Sequence, residues 1–210
     1  MSLFLRLVTD VSAEVVTPAE AKAHAKIEVT DDDALVGNLI KAAREHAQRH
    51  TSRLIGVQTW ALVMDAWPVR AADDWWDGAR EGSVSSLYAT KPAIDLPFSP
   101  LTSATLKVLS ADGSTSTDFA GTYLVRDDTT PRLVLQRGTV PPTPLRDVGG
   151  LEVHMVGGFD TSTLPGSLKV AMLSLVSHWY ERREAGVTEA VSTVPMQTQR
   201  ILDQFKAMRL

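Results

Sequence analysis

The sequence contains no cysteine. That absence excludes disulfide bonds, a thiolate nucleophile and every zinc site that needs sulfur ligands. Long apolar runs are missing as well, because no stretch reaches the roughly 18 apolar residues of a membrane-spanning helix. The first residues lack the basic start, long apolar run and small-residue cleavage site of a signal peptide, so we expect none.

Basic charge is also scarce. The chain has 21 Lys and Arg residues against 25 Asp and Glu residues, which gives a formal net charge of -4. This balance argues against a protein whose main task is to bind phosphates through a basic face. It leaves open a surface that merely tolerates passing DNA. Since hydrophobic residues make up 44% of the 210 residues, we expect an ordinary folded core.

Sequence motifs for catalysis are absent. There is no glycine-rich phosphate loop, dinucleotide fingerprint or nucleophile elbow. His46 and His50 are spaced to reach one metal ion from a helix, but Ala47 stands where a metalloprotease motif has glutamate. We therefore favour packing or interface histidines, and we predict no enzyme activity, no catalytic residue, no metal and no cofactor.

Two acidic clusters have structural explanations. Asp31, Asp32 and Asp33 follow Thr30 at a predicted helix start, where carboxylates favour the positive end of the helix dipole. The second cluster, at positions 71–78, surrounds Trp75 and Trp76. Adjacent residues cannot share one strand face, so one tryptophan either folds back over the β region or anchors a neighbouring subunit.

Helical patterns lie at both ends of the chain. Thr17, Pro18 and Glu20 predict a capped helix to about Ile27. A second helix is predicted from the acidic cluster to about Arg53, with an apolar stripe and a polar face that includes Arg44 and Gln48. A buried helix is predicted after Pro165 and a final amphipathic helix after Pro195, the latter anchored by Ile201, Leu202 and Phe205.

Short β-rich runs fill the middle of the chain. They are punctuated by proline and glycine, and Asp112-Gly113 is the best predicted hairpin turn. The predicted fold is therefore α+β, a small bundle of about four helices interrupted by an inserted antiparallel β region. We expect three segments, namely the N-terminal helices at 1–55, the β-rich insertion at 56–160 and the C-terminal helices at 161–210.

Several segments together resemble the family of phage head-tail connector, or head-completion adaptor, proteins. The N-terminal segments are Val16 to His24, Asp31 to Asp33 and Leu39 to Glu45. The middle segments are Ile94 to Leu101, Asp112-Gly113, Tyr123 and Pro131 to Leu133. The C-terminal segments are Gly157 to Phe159, Leu164-Pro165, Lys169 to Arg183 and Pro195 to Leu210. Departures occur at Ala25-Lys26 and in the Trp75-Trp76 loop, which has no counterpart.

The resemblance implies a structural subunit in the neck of a phage or gene transfer agent particle, made in the bacterial host cytoplasm. Such subunits form rings, commonly of twelve copies, that lie below the portal protein and extend the DNA channel toward a tail-side stopper or tail terminator protein. In these connectors the C-terminal helix docks on the portal. The corresponding candidates here are Arg200, Ile201, Leu202 and Phe205. Trp75 and Trp76 are the candidates for the subunit interface.

Two rival interpretations remain. The first is a monomeric binding module that uses the Trp75-Trp76 loop as its recognition tip. The second is a hydrolase using Asp73, Asp77 or His154, which needs a deep cleft that joins them and a strongly perturbed pKa.

Overall fold

The computed structural model describes residues 3–68, 93–126, 130–136, 138–182 and 194–206. It has four helices and two antiparallel sheets along these residues, which confirms the α+β prediction. No described helix is long and apolar enough to cross a membrane. The chain divides into a β unit, formed from the described residues of 1–9, 59–97 and 101–156, and a helical unit, formed from those of 10–58, 98–100 and 157–210. The predicted segments 1–55, 56–160 and 161–210 stay a prediction.

The β unit contains a five-stranded sheet in the order β1-β2-β8-β4-β5 and a three-stranded sheet in the order β3-β7-β6. Their strands have the following bounds: β1 Leu3–Thr9, β2 Gln58–Met64, β3 Ala93–Asp95, β4 Leu101–Leu109, β5 Ser116–Asp118, β6 Tyr123–Arg126, β7 Arg132–Leu135 and β8 Leu151–Gly157. The predicted turn at Asp112-Gly113 joins β4 to β5, and Gly113 has the positive φ that favours glycine. Strand β1 was not predicted, because the N-terminal third had been interpreted as helical.

The helical unit contains α1 (Pro18–Ala25), α2 (Asp33–Thr51), α3 (Gly166–Glu181) and α4 (Met196–Phe205). Helix α3 is the central one and packs against the other three. Its buried face meets the buried stripe of α2 in one apolar core, which includes Ile40, Leu168, Met172 and Leu175. The prediction of a central, buried helix after Pro165 is confirmed.

The local signals at the helix starts had different outcomes. The Thr17 capping box is present in full, because Thr17 Oγ1 accepts from the Glu20 N–H and Glu20 accepts from the Thr17 N–H. Helix α2, in contrast, has Asp32 rather than Thr30 as its N-cap, without a side-chain capping bond. The prediction of its polar face was also wrong in part, since Arg44 and Gln48 are buried.

Two segments of the helical unit, around Gly56 and around Gly158, approach each other closely through their backbones. The Gly56 N–H donates to the carbonyl oxygen of Phe159 at 2.7 Å. A Cβ added to Gly158 would lie 2.0 Å from the carbonyl oxygen of Gly56, and Gly158 has a φ of +127°. Glycine is therefore required at position 158 by both space and backbone conformation.

Candidate functional site

The C-terminal helix α4 carries all four residues predicted to dock on a partner. Leu202 is fully buried in the apolar core of the helical unit, and Ile201 and Phe205 pack against that core. Arg200 is exposed, as is Met196 at the start of the helix. Leu202 therefore faces the chain's own core, Ile201 and Phe205 are half-buried against it, and Arg200 is the exposed member of the set.

Two polar contacts hold the C-terminal half of α4. Arg53 Nε donates to the carbonyl oxygen of Phe205 at 3.3 Å, and a second nitrogen of the same guanidinium bonds Ser99 Oγ. In the last turn of α2, His50 Nε2 lies 2.6 Å from Asp203 Oδ1. A cation near the last carbonyls of a helix satisfies acceptors that have no partner within the helix and favours the negative end of its dipole. These contacts fix where α4 ends.

The pair of histidines on α2 is part of this packing. His46 and His50 stack with ring centroids 6.5 Å apart, and Trp179 meets His46 edge-on at 6.0 Å. Burial lowers the pKa of His46, and the neighbouring His50 and Arg49 lower it further, so the ring is neutral near pH 7. Within the described ranges, no group of three or more His, Cys, Asp or Glu side chains could hold a metal ion.

A buried arginine forms a polar cluster that the sequence analysis missed. Arg44 Nε donates to Glu14 Oε2 at 2.9 Å, Nη2 lies 3.2 Å from Asp10 Oδ1, and Nη1 donates to Gln48 Oε1 at 3.4 Å. Burial alone would raise the pKa of Asp10, but the Val11 N–H and the charges of Arg44 and Lys41 outweigh it and hold that pKa below its usual value. The cluster joins the segment before α1 to the middle of α2.

Gln48 extends this cluster toward the start of β2. Its Oε1 accepts from the Ile55 N–H at 3.2 Å and from Gln58 Nε2, and Gln58 Nε2 also donates to the Ile55 carbonyl oxygen at 3.0 Å. A buried amide needs such partners, since leaving one unsatisfied costs about 1–3 kcal/mol. No sequence signal separates this Gln48 from a solvated glutamine on the polar face of a helix.

The acidic cluster at the start of α2 is used for packing. Tyr180 on α3 donates to Asp32 Oδ2 at 2.6 Å, and Lys22 on α1 bonds Asp33 Oδ1 at 2.6 Å.

Two other carboxylates, Asp112 and Asp160, have pKa values lowered to about 2, mainly because the hydroxyls of Ser110 and Ser162 donate to them. Both carboxylates stabilise turns. A general acid needs a raised pKa, whereas the pKa values of these two are lowered.

The remaining predicted residues divide between two places. Trp75 and Trp76, together with Asp73 and Asp77, lie outside the described residues, so their roles stay predictions. His154 lies on β8, where its Nε2 is 2.9 Å from Glu152 Oε2. Glu152 also bonds Arg6 of β1 at 2.8 Å. Glu152 thus joins His154 of its own strand and Arg6 of β1 in one polar network on the sheet.

No protein-family model matches the chain. No curated protein matches it either. Three solved structures contain chains of the same fold along nearly the whole length. The first, the neck of an empty gene transfer agent (GTA) particle computed with C6 symmetry, has a chain with a TM-score of 0.72 and 22% identity, and the match covers 99% of this chain and 97% of that one.

The second structure is the virion of a native GTA particle, with a TM-score of 0.72, 21% identity and coverage of 98% and 96%. The third is the neck of a native GTA particle computed with C12 symmetry, with a TM-score of 0.70, 21% identity and coverage of 99% and 97%. At this level of identity the comparison establishes the fold. Both units, with β1 and α4 included, thus have the fold of chains found in gene transfer agent particles.

Proposed function

We propose that this chain is a structural head-tail connector subunit in the neck of a tailed phage or phage-like particle. The observation that carries the proposal is the full-length match, with a TM-score of 0.72 at 99% and 97% coverage, to a chain in a gene transfer agent neck. The segments that resemble the connector family support it independently, because they were identified from sequence. The subunit acts by assembly in the virion and has no turnover.

The subunit forms a ring below the portal and extends the DNA channel toward the tail. The necks computed with C6 and C12 symmetry support a closed ring of repeated copies, for which we propose twelve. Its partners are then the neighbouring copies, the portal protein, a tail-side stopper or tail terminator protein, and double-stranded DNA that passes without sequence-specific contacts. A closed ring needs two different complementary surfaces on every copy.

Helix α4 is the proposed portal contact. Arg200 is exposed on it, while Ile201, Leu202 and Phe205 pack on the core. We assign Arg200 to the portal contact and the three apolar residues to holding the helix in position. The Arg53 and His50 contacts to the end of α4 support this division, because they fix the helix that presents Arg200.

The test is native mass spectrometry of the full chain, alone and mixed with the portal protein from its own genome. We expect a multi-copy complex with the portal, weakened by Arg200→Glu and lost on deletion of 195–210. Because deletion also removes the buried Leu202, Arg200→Glu is the variant expected to keep its fold.

Arg49→Glu is the matched control, since Arg49 is also an exposed arginine on a helix of the same unit. Its complex with the portal should equal that of the unchanged chain. A monomer that ignores the portal at all concentrations would instead support the monomeric binding module. If both charge reversals weaken the complex equally, Arg200 has no specific part in the portal contact, and the proposal of a ring is unaffected.

A further inference from the structure

Strand β1 lies at the edge of the five-stranded sheet. Among the described residues it pairs with β2 alone, antiparallel, from Leu3 opposite Met64 to Thr9 opposite Thr59. No described strand pairs with the other edge of β1, which is seven residues long, about 23 Å at the usual rise per strand residue. An open edge presents unpaired N–H and C=O groups that another strand can bond.

The side chains of β1 are apolar on both faces. Leu3, Leu5 and Leu7 alternate with Phe4, which points to the opposite face, and Val8 lies in the irregularity between Leu7 and Thr9. All five are between 41% and 56% exposed. Apart from Arg6 and the final Thr9 the strand is apolar, and a nearly continuous apolar run is typical of a strand that is buried on both faces. The neighbouring β2 fits that description, because its residues from Ala61 to Met64 are buried. Strand β1 has the sequence of an interior strand in an edge position.

Strand β1 has few of the usual protections of an edge strand, apart from an irregularity in its pairing with β2 between Leu7 and Thr9. It contains no proline, and its single charge, Arg6, is paired with Glu152 of β8, on the inner side of β2. The opposite edge of the same sheet is protected, since β5 is only three residues long and reads Ser-Thr-Asp. Natural sheets shorten or charge their open edges in this way, and a long apolar edge is otherwise an aggregation site.

We infer that β1 is half of the interface between neighbouring copies of this chain, which dock against its open edge and its apolar faces. The inference rests on the proposed ring. A second copy is the partner that fits, because apolar interfaces are typical of permanent homo-oligomers. DNA does not fit, since β1 offers it no free cluster of basic residues.

The surface that meets β1 differs from β1 itself. Pairing of β1 with β1 across a two-fold axis would give closed dimers, whereas a ring larger than a dimer requires a heterologous contact. Strand addition supplies the geometry, with main-chain hydrogen bonds along the edge and pockets for alternate side chains. Each copy therefore gives β1 to one neighbour and receives the β1 of the other.

The first experiment measures assembly of the full chain with its portal by native mass spectrometry as a function of chain concentration. The variant Leu5→Lys/Leu7→Lys places two charges on one face of β1. We expect it to keep the circular dichroism spectrum and thermal midpoint of the unchanged chain and to raise the concentration for half-maximal complex by about tenfold or more. Val57→Lys/Val170→Lys is the control, because these two apolar residues, at 53% and 49%, are somewhat more exposed than Leu5 and Leu7 and lie outside β1. It should leave assembly unchanged.

The second experiment identifies what lies on β1. Phe4 is replaced by photoreactive p-benzoylphenylalanine, and complexes are formed from a mixture of nitrogen-14 and nitrogen-15 chains. Irradiation should give cross-linked peptides of mixed isotope composition, between Phe4 of one copy and a segment other than β1 of another copy. Cross-links confined to one chain or to the portal would overturn the inference, as would full assembly of the Leu5→Lys/Leu7→Lys variant.

The two proposals fail in different ways. If the unchanged chain forms no multi-copy complex with its portal, the proposed function fails and the interface fails with it. If the unchanged chain assembles and the β1 variant assembles equally well, the connector stands and β1 is not the interface. Equal loss in the β1 variant and in the Val57→Lys/Val170→Lys control would also overturn the assignment to β1.

Discussion

At the scale of single residues, Arg44 shows how a charged side chain becomes part of a core. It is 2% exposed and bonds Glu14, Asp10 and Gln48 at once. A planar guanidinium can donate in these three directions, whereas a lysine ammonium on a flexible stem cannot reproduce the same fork. The burial of Arg44 is thus tolerated because each side of its guanidinium has an acceptor.

We predict that Arg44→Lys lowers the free energy of unfolding by about 2–3 kcal/mol, because some of these acceptors lose their donor while they remain partly buried. Arg49→Lys is the control on the same helix, since Arg49 is exposed and pairs with Glu45 only across the helix surface. That change should stay within about 0.5 kcal/mol. Urea denaturation followed by circular dichroism measures both, and equal values for the two variants would refute the structural role of Arg44.

At the scale of elements, α4 combines a core face with an outer face. Leu202 and Thr198 are buried, whereas Met196 and Arg200 lie on the outside. A ten-residue helix is too short to be stable alone in water, so its folded state depends on the core that it covers. Any role of α4 in docking therefore depends on the stability of this packing.

We predict that Leu202→Ala lowers the free energy of unfolding by about 2–4 kcal/mol, the usual cost of a cavity at a fully buried leucine. Met196→Ala on the same helix should cost less than about 0.5 kcal/mol, because Met196 is 70% exposed. Thermal and chemical unfolding of the full chain compare the two. If Leu202→Ala left the free energy of unfolding unchanged but abolished the portal complex, this leucine would face the portal and not the core.

At the scale of the whole molecule, the charge balance bears on the proposed role, in which DNA passes through a ring of these subunits. The formal net charge is -4, and a ring of such subunits repeats that charge on every copy. Neutralising many phosphates makes binding strong and steeply salt-dependent, which would hold the duplex in place. In the proposed ring, an acidic subunit would not hold the duplex in this way, and the portal and the neighbouring copies would be its tight contacts.

We predict that the isolated chain binds a 40-base-pair duplex with a dissociation constant weaker than about 10⁻⁵ M at physiological salt, within or above the range of non-specific binders. Fluorescence anisotropy at several salt concentrations measures the affinity and its salt dependence. A slope of about -5 or steeper, for the logarithm of the binding constant against the logarithm of salt concentration, would indicate many phosphate contacts. It would contradict the proposal that the ring channel does not bind DNA phosphates. The ring with its portal, tested in the same way, should also lack such a slope.

The sequence by itself determined those features whose causes lie within a few residues. Thr17 and Glu20 are three positions apart, so their capping box could be predicted and is present. The turn at Asp112-Gly113, the runs of period two and the apolar stripes of α2 and α3 are local in the same sense. Together they were sufficient for the α+β class, for the order of most elements and for the resemblance to connector proteins.

The tertiary structure decided what depends on residues far apart in the chain. Arg44 looked solvated until Glu14, thirty residues away, was placed beside it. The burial of Leu202 depends on the packing of α4 on α2 and α3, and its part in docking stays a prediction. Strand β1 could not be predicted from the sequence, because its partner β2 lies about fifty to sixty residues later. A short apolar run does not indicate which strand it pairs with. Burial and strand pairing are properties of the assembled chain, and local spacing does not encode them.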